Sequence, residues 1–286
     1  MNLNFWLIQA FNGISYGALL FLVGSGLSLI FGVMRIVNLA HGAYFLLGGY
    51  VALTVIWTTG SWLLALPVAS LAIALLGLAM ERVFLRPLGF DPLRQVLLTV
   101  GFAFLFQQAA LDIWSGNNFD ITPPPALQGS IAIGGFYLPL YRIFMIAVAA
   151  AIGLVLWLAM EKTRLGAAVR ATVDDAEMAR GVGIDTSRIS MLIFRLGAFL
   201  AALGGVIGGA FLGIYPGLDF EMLPLAFAVV IIGGMGSLGG AAIGALAVGL
   251  ADNFGKALFP EVSYFTLYAP MALILAIKPT GLFGRE

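Results

Sequence analysis

Long apolar runs separated by short polar segments dominate the chain and predict a bundle of membrane-spanning helices. A spanning helix needs about 20 mostly apolar residues, because the hydrocarbon core of a bilayer is about 30 Å thick. The candidate spans are 9–32, two spans within 36–80 that turn at 58–62, 95–114, 142–160, 190–214 and 264–277. The pattern therefore predicts an all-α polytopic membrane protein.

A further run, 222–251, contains thirty uncharged residues and is too long for one untilted helix. It includes "GGMGSLGG" at 233–240, and glycine at that density breaks a helix. We therefore expect two shorter segments that meet at the glycines, which brings the total to about eight to nine spans. The glycine-interrupted stretches 32–49 and 233–249 lie in corresponding halves of the chain, a pattern typical of inverted-repeat transporters. An inverted repeat is thus a possible organisation.

The composition indicates that lipid is the main solvent of this chain. Hydrophobic residues make up 61% and charged residues 10%, with a mean hydropathy of +1.04, whereas about a quarter of a soluble globular chain is charged. A net charge of zero gives no electrostatic footprint for nucleic acid. Without cysteine and with a single histidine, the chain lacks the residues for disulfides and for the usual zinc sites.

The uneven distribution of lysine and arginine among the loops predicts the orientation of the spans. These residues are frequent in the loops 81–94 and 161–189, whereas the loop 115–141 contains one charge, Asp120. Because loops rich in lysine and arginine stay in the cytoplasm, we expect the first two loops inside and 115–141 outside. Counting spans then places the N-terminus outside and the C-terminus in the cytoplasm.

The segment 161–190 is the most polar part of the chain, with ten charged residues, five of each sign. A plain connector needs only a few residues. Helix-forming residues over 167–180 predict a short amphipathic helix with Val169, Val173 and Ala176 on its apolar stripe.

Two glycines and a capping residue separate this helix from the next span. Gly181 and Gly183 are expected to end it, and Asp185, Thr186 or Ser187 to cap the span that follows. A short helix tied to a span at each end is a lever through which a partner could move both spans. The alternatives are an ordinary solvated loop or a helix resting on lipid, although the mixed charges fit anionic lipid poorly.

The stretch "IVNLAHGAYFLLGGY" (36–50) places the only histidine within an apolar run. Asn38, His41 and Tyr44 follow a three-residue spacing that predicts one helix face, near the cytoplasmic end of the span. Polar groups inside a membrane face the bundle interior or a water-filled cavity. Asn38, His41 and Gly42 are therefore candidates for a weak gate or pathway lining. The alternative is that Asn38 and His41 form hydrogen bonds between helices.

The glycine-rich stretch 233–240 has the same two interpretations. A break there would expose backbone groups that line a path for a zwitterion, with Gly234, Gly236 and Ser237 as candidate pathway residues. Tight packing of small residues is an equally good explanation. At the outer face, Asp219 and Glu221 could meet an external binding protein, or form a solvated loop end.

The chain lacks the motifs of a catalyst. The stretch "DNFGKA" (252–257) lacks the hydroxyl and the upstream glycine of a phosphate-binding loop, and neither HExxH nor G-x-S-x-G occurs. Few charges within the spans suit a small substrate with no net charge. A secondary transporter would need a buried carboxylate, for which Asp112 and Asp252 are the candidates. A purely structural scaffold would leave the polar segment 161–190 unexplained.

Several stretches, in the same order along the chain, resemble the LivH-type permeases, the membrane subunits of ABC importers for branched-chain amino acids. These are "GLSLIFGVMRIVNLAHGAYFLLGGY" (26–50), "LRPL" (85–88) with "LLTVGFAFLFQQ" (97–108), "RATVDDAEMARGVGI" (170–184) with "FRLGAFLAALGGVIGG" (194–209), and "AFAVVIIGGMGSLGGAAIGALAVG" (226–249). Relatives of similar sequence carry urea, short amides or other amino acids. The resemblance implies one transmembrane permease domain over 1–286, in the inner membrane of a prokaryote.

The resemblance also implies an ATPase-coupling site and a set of partners. The residues expected to meet the ATPase are Arg170, Ala171, Asp175, Ala179, Gly183 and Ile184. The implied partners are a second, LivM-like permease, two ATP-binding subunits and an external substrate-binding protein, with ATP and Mg on the ATP-binding subunits and no cofactor on this chain.

Overall fold

The computed structural model describes residues 3–89, 91–133, 136–278 and 280–284, and most of this backbone is helical. The helices are α1 (Leu3–Met34), α2 (His41–Thr59), α3 (Trp62–Met80), α4 (Pro92–Trp114), α5 (Leu140–Lys162), α6 (Arg164–Asp174), α7 (Ala176–Gly181), α8 (Thr186–Leu212), α9 (Leu218–Gly233), α10 (Leu238–Leu258) and α11 (Ser263–Ile277). Within the described residues, seven helices are long and apolar enough to cross a membrane, namely α1, α2, α3, α4, α5, α8 and α10.

The predicted spans are confirmed as helices, with small shifts at their ends. The run 36–80 divides into α2 and α3, because Gly60 adopts a left-handed conformation with φ of 68° and the Ser61 hydroxyl caps α3. The run 222–251 divides at its glycines into α9 and α10, as expected. The helices α9 and α11, with 16 and 15 residues, are the shortest of the predicted segments.

One element was not predicted from the sequence. The loop 115–141 contains an antiparallel hairpin of β1 (Ser130–Ile133) and β2 (Phe136–Pro139). The sequence did carry a signal for this hairpin, since two runs of apolar and aromatic residues are separated by a pair of glycines at 134–135.

The bundle has two ends, which differ in charge. The connections after α1, between α3 and α4, and between α5 and α8 lie at one end, which we call the basic end. The connections between α2 and α3, α4 and α5, and α8 and α9 lie at the other, the opposite end. An isolated pairing of Phe119 with Ile214 joins two of the loops at the opposite end.

The helices α1 and α8 form the centre of the bundle, and α2, α9 and α10 pack around them. Small residues allow this close packing. A Cβ added to Gly48 would lie 2.5 Å from Ala202 Cα, and one added to Gly13 would lie 2.9 Å from Leu250 Cα. Such contacts stabilise helix pairs in lipid, where apolar burial alone provides little driving force.

Candidate functional site

The helical path is interrupted inside the bundle between α1 and α2. Residues 35–40 are not helical, and Arg35 begins the break with a φ of 54°. The first residue of α2, His41, lies beside Val23, because its Nε2–H donates to the Val23 carbonyl at 2.9 Å. Val23 is about 16 Å from the end of α1, at 1.5 Å per residue. The segment 35–40 therefore carries the chain from the basic end back to the middle of the bundle.

Neighbouring side chains satisfy part of this irregular backbone. The Leu39 N–H donates to Thr99 Oγ1 at 3.2 Å, and the Thr99 hydroxyl lies 3.4 Å from the Val37 carbonyl. The Asn38 side-chain oxygen accepts from the Ala40 N–H at 3.2 Å. Non-helical backbone at membrane depth is stable only where protein or water supplies such partners.

The structure corrects the predicted position of Asn38. It precedes α2 rather than sharing a helix face with His41, while His41 and Tyr44 do lie together with ring centroids 6.3 Å apart. His41 also lies at mid-height, not near the basic end. The three-residue spacing was misleading because helix α2 starts at His41, after the irregular segment.

Asn38 and His41 are completely buried, and each retains an unused polar atom. Within the described residues, His41 Nδ1 has no hydrogen-bond partner, and Asn38 Nδ2 makes no bond of normal geometry although the Tyr44 hydroxyl lies close by. Gly42 is buried next to the backbone of Asp219, where a Cβ would collide with the Asp219 carbonyl. These three candidates therefore lie in a tightly packed region that could accept a polar group only after rearrangement.

A second interruption separates α9 from α10. Gly234 and Gly236 have φ values of 103° and 81°, and Ser237 caps α10 by accepting from the Gly240 N–H at 3.0 Å. L-residues with side chains rarely adopt such positive φ values. The glycines at 234 and 236 are therefore required by the turn itself.

The two interruptions meet on α1. The Ser28 hydroxyl donates to the Ser237 carbonyl at 3.3 Å, and a Cβ added to Gly32 would lie 2.8 Å from Gly236 Cα. The stretch 35–40 leaves the end of the same helix. Two breaks far apart in sequence thus lie against the basic-end part of one helix.

The predicted helix over 167–180 is two helices, α6 and α7, which are separated by the extended backbone of Asp175. The Asp175 side chain accepts from the N–H groups of Glu177 and Met178, each at 2.9 Å, and so caps α7. Aspartate competes in this way with helix continuation. The predicted cap of the following span is confirmed, since Asp185 accepts from the Arg188 N–H at 3.0 Å.

The helix α6 is attached to the membrane helices by its apolar stripe. Val169 is 3% exposed, and α6 packs against α5, α1 and α8. Arg170 donates to the Met160 carbonyl at the end of α5. Of the other residues expected to meet an ATPase, Asp175 and Gly183 are exposed, Ala171 and Ile184 are half-buried, and Ala179 is buried.

Two exposed apolar residues in and just after α7 were not singled out from the sequence. Met178 and Val182 are 66% and 71% exposed, four residues apart around the end of α7. Apolar side chains at this spacing on the outer face of a charged helix were a usable signal for a docking surface.

A cavity of about 310 Å³ lies between α6 and α7 on one side and the α3–α4 connection and the basic-end parts of α1, α4 and α8 on the other. Its lining includes Glu81 and Arg86 from the α3–α4 connection and Arg180 and Asp185 from the α6–α8 region. Glu81 is 2% exposed, and its Oε2 has no partner among the described residues. Ala176 and Arg180 of α7 form part of its lining, so the cavity lies directly beside α7.

The two carboxylates considered from the sequence for ion coupling, Asp112 and Asp252, are not the most buried ones. Asp112 is exposed, whereas Asp252 is buried and paired with Lys256 at 2.7 Å. Asp219, expected at a solvated loop end, is 2% exposed with one oxygen unpartnered among the described residues. Hydropathy could not reveal the burial of Asp219 or of Glu81, because both lie at the ends of apolar runs.

Comparisons with known proteins agree with this architecture. The family described as "Branched-chain amino acid transport system / permease component" matches residues 9–275. The chain is 31% identical to the high-affinity branched-chain amino acid transport system permease protein LivH of Escherichia coli (strain K12), over 98% of this chain and 96% of LivH.

Two further relatives extend the comparison. The chain is 29% identical to the permease protein BraD of Pseudomonas aeruginosa, over 98% of this chain and 96% of BraD. It is also 27% identical to the permease protein LivM of Escherichia coli (strain K12), over 91% of this chain and 67% of LivM. Both are described as high-affinity branched-chain amino acid transport system proteins.

Proposed function

Because the chain belongs to the family of branched-chain amino acid transport system permease components, we propose that it translocates leucine, isoleucine and valine into the cell. ATP hydrolysed with Mg on two partner subunits would drive this transport. The other partners would be a LivM-like permease and an external substrate-binding protein. The same machine carrying urea or short amides is the second candidate for the substrate.

The observation that carries the proposal is the attachment of α6 and α7 to the membrane helices. Their outer side presents Asp175, Met178, Val182 and Gly183, while α6 packs on α5 and α1. A partner that docks on this side would push α7 toward the adjacent cavity that contains Glu81. That displacement would reach α1 and α8, and therefore both interruptions of the helical path.

In the proposed mechanism, ATP binding and hydrolysis switch the bundle between two states that open to opposite sides. The segments 35–40 and 234–237 are the points at which it bends, because each lacks the hydrogen-bond ladder of a continuous helix. Asn38, His41, Gly42, Gly234, Gly236 and Ser237 would then become part of the pathway lining. The basic end would face the cytoplasm of a prokaryotic cell.

A matched pair of glycine variants tests the lever. A side chain at Gly183 meets open space but requires a φ of 89°, whereas one at Gly181 meets open space without a positive φ. Gly183→Ala should distort the turn and lower ATP-dependent uptake by about tenfold, since the left-handed conformation costs an L-residue about 1–2 kcal/mol. Gly181→Ala should leave uptake unchanged.

The measurement is uptake of labelled leucine into liposomes that contain the complete complex, with binding protein outside and ATP inside. Equal uptake by both variants would rule out the lever. Leucine uptake without ATP would instead indicate secondary transport. ATP hydrolysis stimulated by urea or an amide, but not by leucine, would identify the second candidate substrate.

A further inference from the structure

A cavity of about 620 Å³ opens at the opposite end, between the start of α9, the end of α10 and the adjoining parts of α1, α8 and α11. Its volume lies within the range of about 300–1,000 Å³ found for small-molecule pockets. The helices α9 and α10 continue from this cavity to the glycine turn at 234–237. The cavity thus lies at the outer end of one interrupted helix pair.

The polar side of the cavity carries both signs of charge. Asp252 is 6% exposed and accepts from Lys256 Nζ at 2.7 Å, and the amide of Asn253 lies next to this pair in the lining. Glu221 stands at the exposed rim, where its Oε2 accepts from the Tyr215 hydroxyl at 2.8 Å. The Arg142 guanidinium lies 5.0 Å from the ring centroid of Phe211, another lining residue. The cavity therefore offers carboxylates for a cationic group and cations for an anionic group, as a zwitterionic ligand requires.

Tyr215 remains a hydrogen-bond donor at neutral pH. Burial, together with the hydrogen bond to Glu221 and the charge of that carboxylate, raises the pKa of Tyr215 to about 12. The hydroxyl therefore holds the Glu221 carboxylate in place over the physiological range of pH.

The remaining lining is apolar and aromatic. Leu218, Met222 and Leu225 form one wall and are nearly completely buried, and the rings of Tyr16 and Phe211 lie 6.4 Å apart on another side. Aliphatic side chains bury well against such a surface, at about 25 cal/mol per Å². Urea could form hydrogen bonds with the polar side of the cavity, but it has no aliphatic group and would leave the apolar wall without a partner.

From this arrangement we infer that the opposite-end cavity is the outward-facing substrate site, for a zwitterionic α-amino acid with an aliphatic side chain. The inference rests on the proposed function. Glu221 and Asp252 receive the ammonium group, and Lys256 and Asn253 receive the carboxylate. The leucine, isoleucine or valine side chain packs on Leu218, Met222 and Leu225.

Charge-neutral variants test the assignment in the reconstituted complex. Glu221→Gln and Asp252→Asn each remove a carboxylate partner of the ammonium group, and the KM for leucine uptake should rise by about tenfold. Glu261→Gln is the matched control, because Glu261 is an exposed carboxylate that is not part of the cavity lining. Glu221 lies at the rim, so Glu221→Gln carries the test even where Asp252→Asn fails to assemble.

A second readout does not depend on transport. The chain contains no cysteine, so single cysteines introduced by Asn253→Cys and Glu261→Cys can be labelled with a thiol reagent in the detergent-purified complex. Leucine should slow labelling at position 253 but not at 261, and urea should slow neither.

The outcomes separate the two proposals. Leucine uptake by the wild type, combined with unchanged KM values in both cavity variants and no protection at position 253, would overturn the substrate site and leave the proposed function intact. No leucine uptake by the wild type would overturn both.

Discussion

At the scale of single residues, the polar groups buried among apolar helices distinguish this chain from a simple membrane scaffold. His41 donates a hydrogen bond from Nε2–H to the Val23 carbonyl, so in the neutral ring Nδ1 is an acceptor. Asn38 lies in the irregular segment that precedes it and satisfies the Ala40 N–H. The hydrogen bonds explain how both residues are held, while the buried atoms Nδ1 of His41 and Nδ2 of Asn38 have no partner among the described residues.

The substitutions His41→Leu and Asn38→Leu distinguish a pathway role from a purely structural one. His41→Leu removes the hydrogen bond between α2 and α1, at a cost of about 1 kcal/mol, and Asn38→Leu removes the local bond to the Ala40 N–H, at a cost of about 1 kcal/mol. Each variant should therefore assemble with a slightly lower midpoint of thermal unfolding in detergent. If the residues line the pathway, uptake of leucine should fall by much more than this loss of stability explains.

The protein level in the membrane and the unfolding midpoint serve as controls for folding. Normal uptake by both variants, together with normal folding, would exclude the pathway role of Asn38 and His41.

At the scale of secondary-structure elements, the bundle is organised by its helix breaks. The break between α9 and α10 follows from local chemistry, since glycines with positive φ are followed by a capping serine. The break between α1 and α2 depends instead on Thr99 of α4, which is distant in sequence and binds the irregular backbone. The first was therefore predicted from the sequence. For the second, the sequence indicated an interrupted stretch over 32–49 but wrongly placed Asn38 on the helix face of His41.

The glycine turn supports a prediction in which two similar substitutions have opposite effects. Gly236→Ala should destabilise the protein by about 1–2 kcal/mol, because alanine is strained in the left-handed region. Its Cβ would also lie 3.0 Å from Gly32 Cα. Gly239→Ala should stabilise α10 by about 0.5–1 kcal/mol, because Gly239 lies in the first turn of the helix and its Cβ meets open space.

Thermal unfolding of the two variants in detergent measures this difference. A Gly236→Ala variant as stable as the wild type would show that the turn tolerates another backbone conformation.

At the scale of the whole molecule, the ends of the bundle differ in chemistry as well as in charge. The basic end carries α6, α7 and the cavity beside Glu81, and the opposite end carries the hairpin and the larger cavity. The proposed orientation places the first in the cytoplasm and the second outside. In this orientation the cavity beside Glu81 lies on the side of the proposed ATP-binding subunits, and the larger cavity lies on the side of the proposed substrate-binding protein.

The absence of cysteine makes this orientation directly measurable. Asn117 is exposed at the opposite end and Gly181 is exposed at the basic end. In intact cells, a membrane-impermeant maleimide should label the Asn117→Cys variant, and it should label Gly181→Cys only after permeabilisation. The reverse pattern would invert the proposed topology and place α6 and α7 away from the ATP supply.

Local patterns in the chain were sufficient to predict most of the helices. Hydropathy identified the spans, and glycine and capping residues identified the turn at 58–62, the division of 222–251 and the cap at Asp185. They were sufficient because apolar length, positive φ and capping depend on residues close together in sequence. The prediction of α6 and α7 as one helix failed at Asp175, where an aspartate was equally able to cap a new helix.

Contacts between distant parts of the chain decided the rest. The depth of His41, the meeting of Ser28 with Ser237, the burial of Asp219 and Glu81, and both cavities arise from packing between separate helices. No periodicity within one segment encodes such contacts, because they depend on how the helices cross and on which small residues allow close approach. The helices are thus a property of the local sequence, while the candidate pathway and the proposed substrate cavity are properties of the assembled bundle.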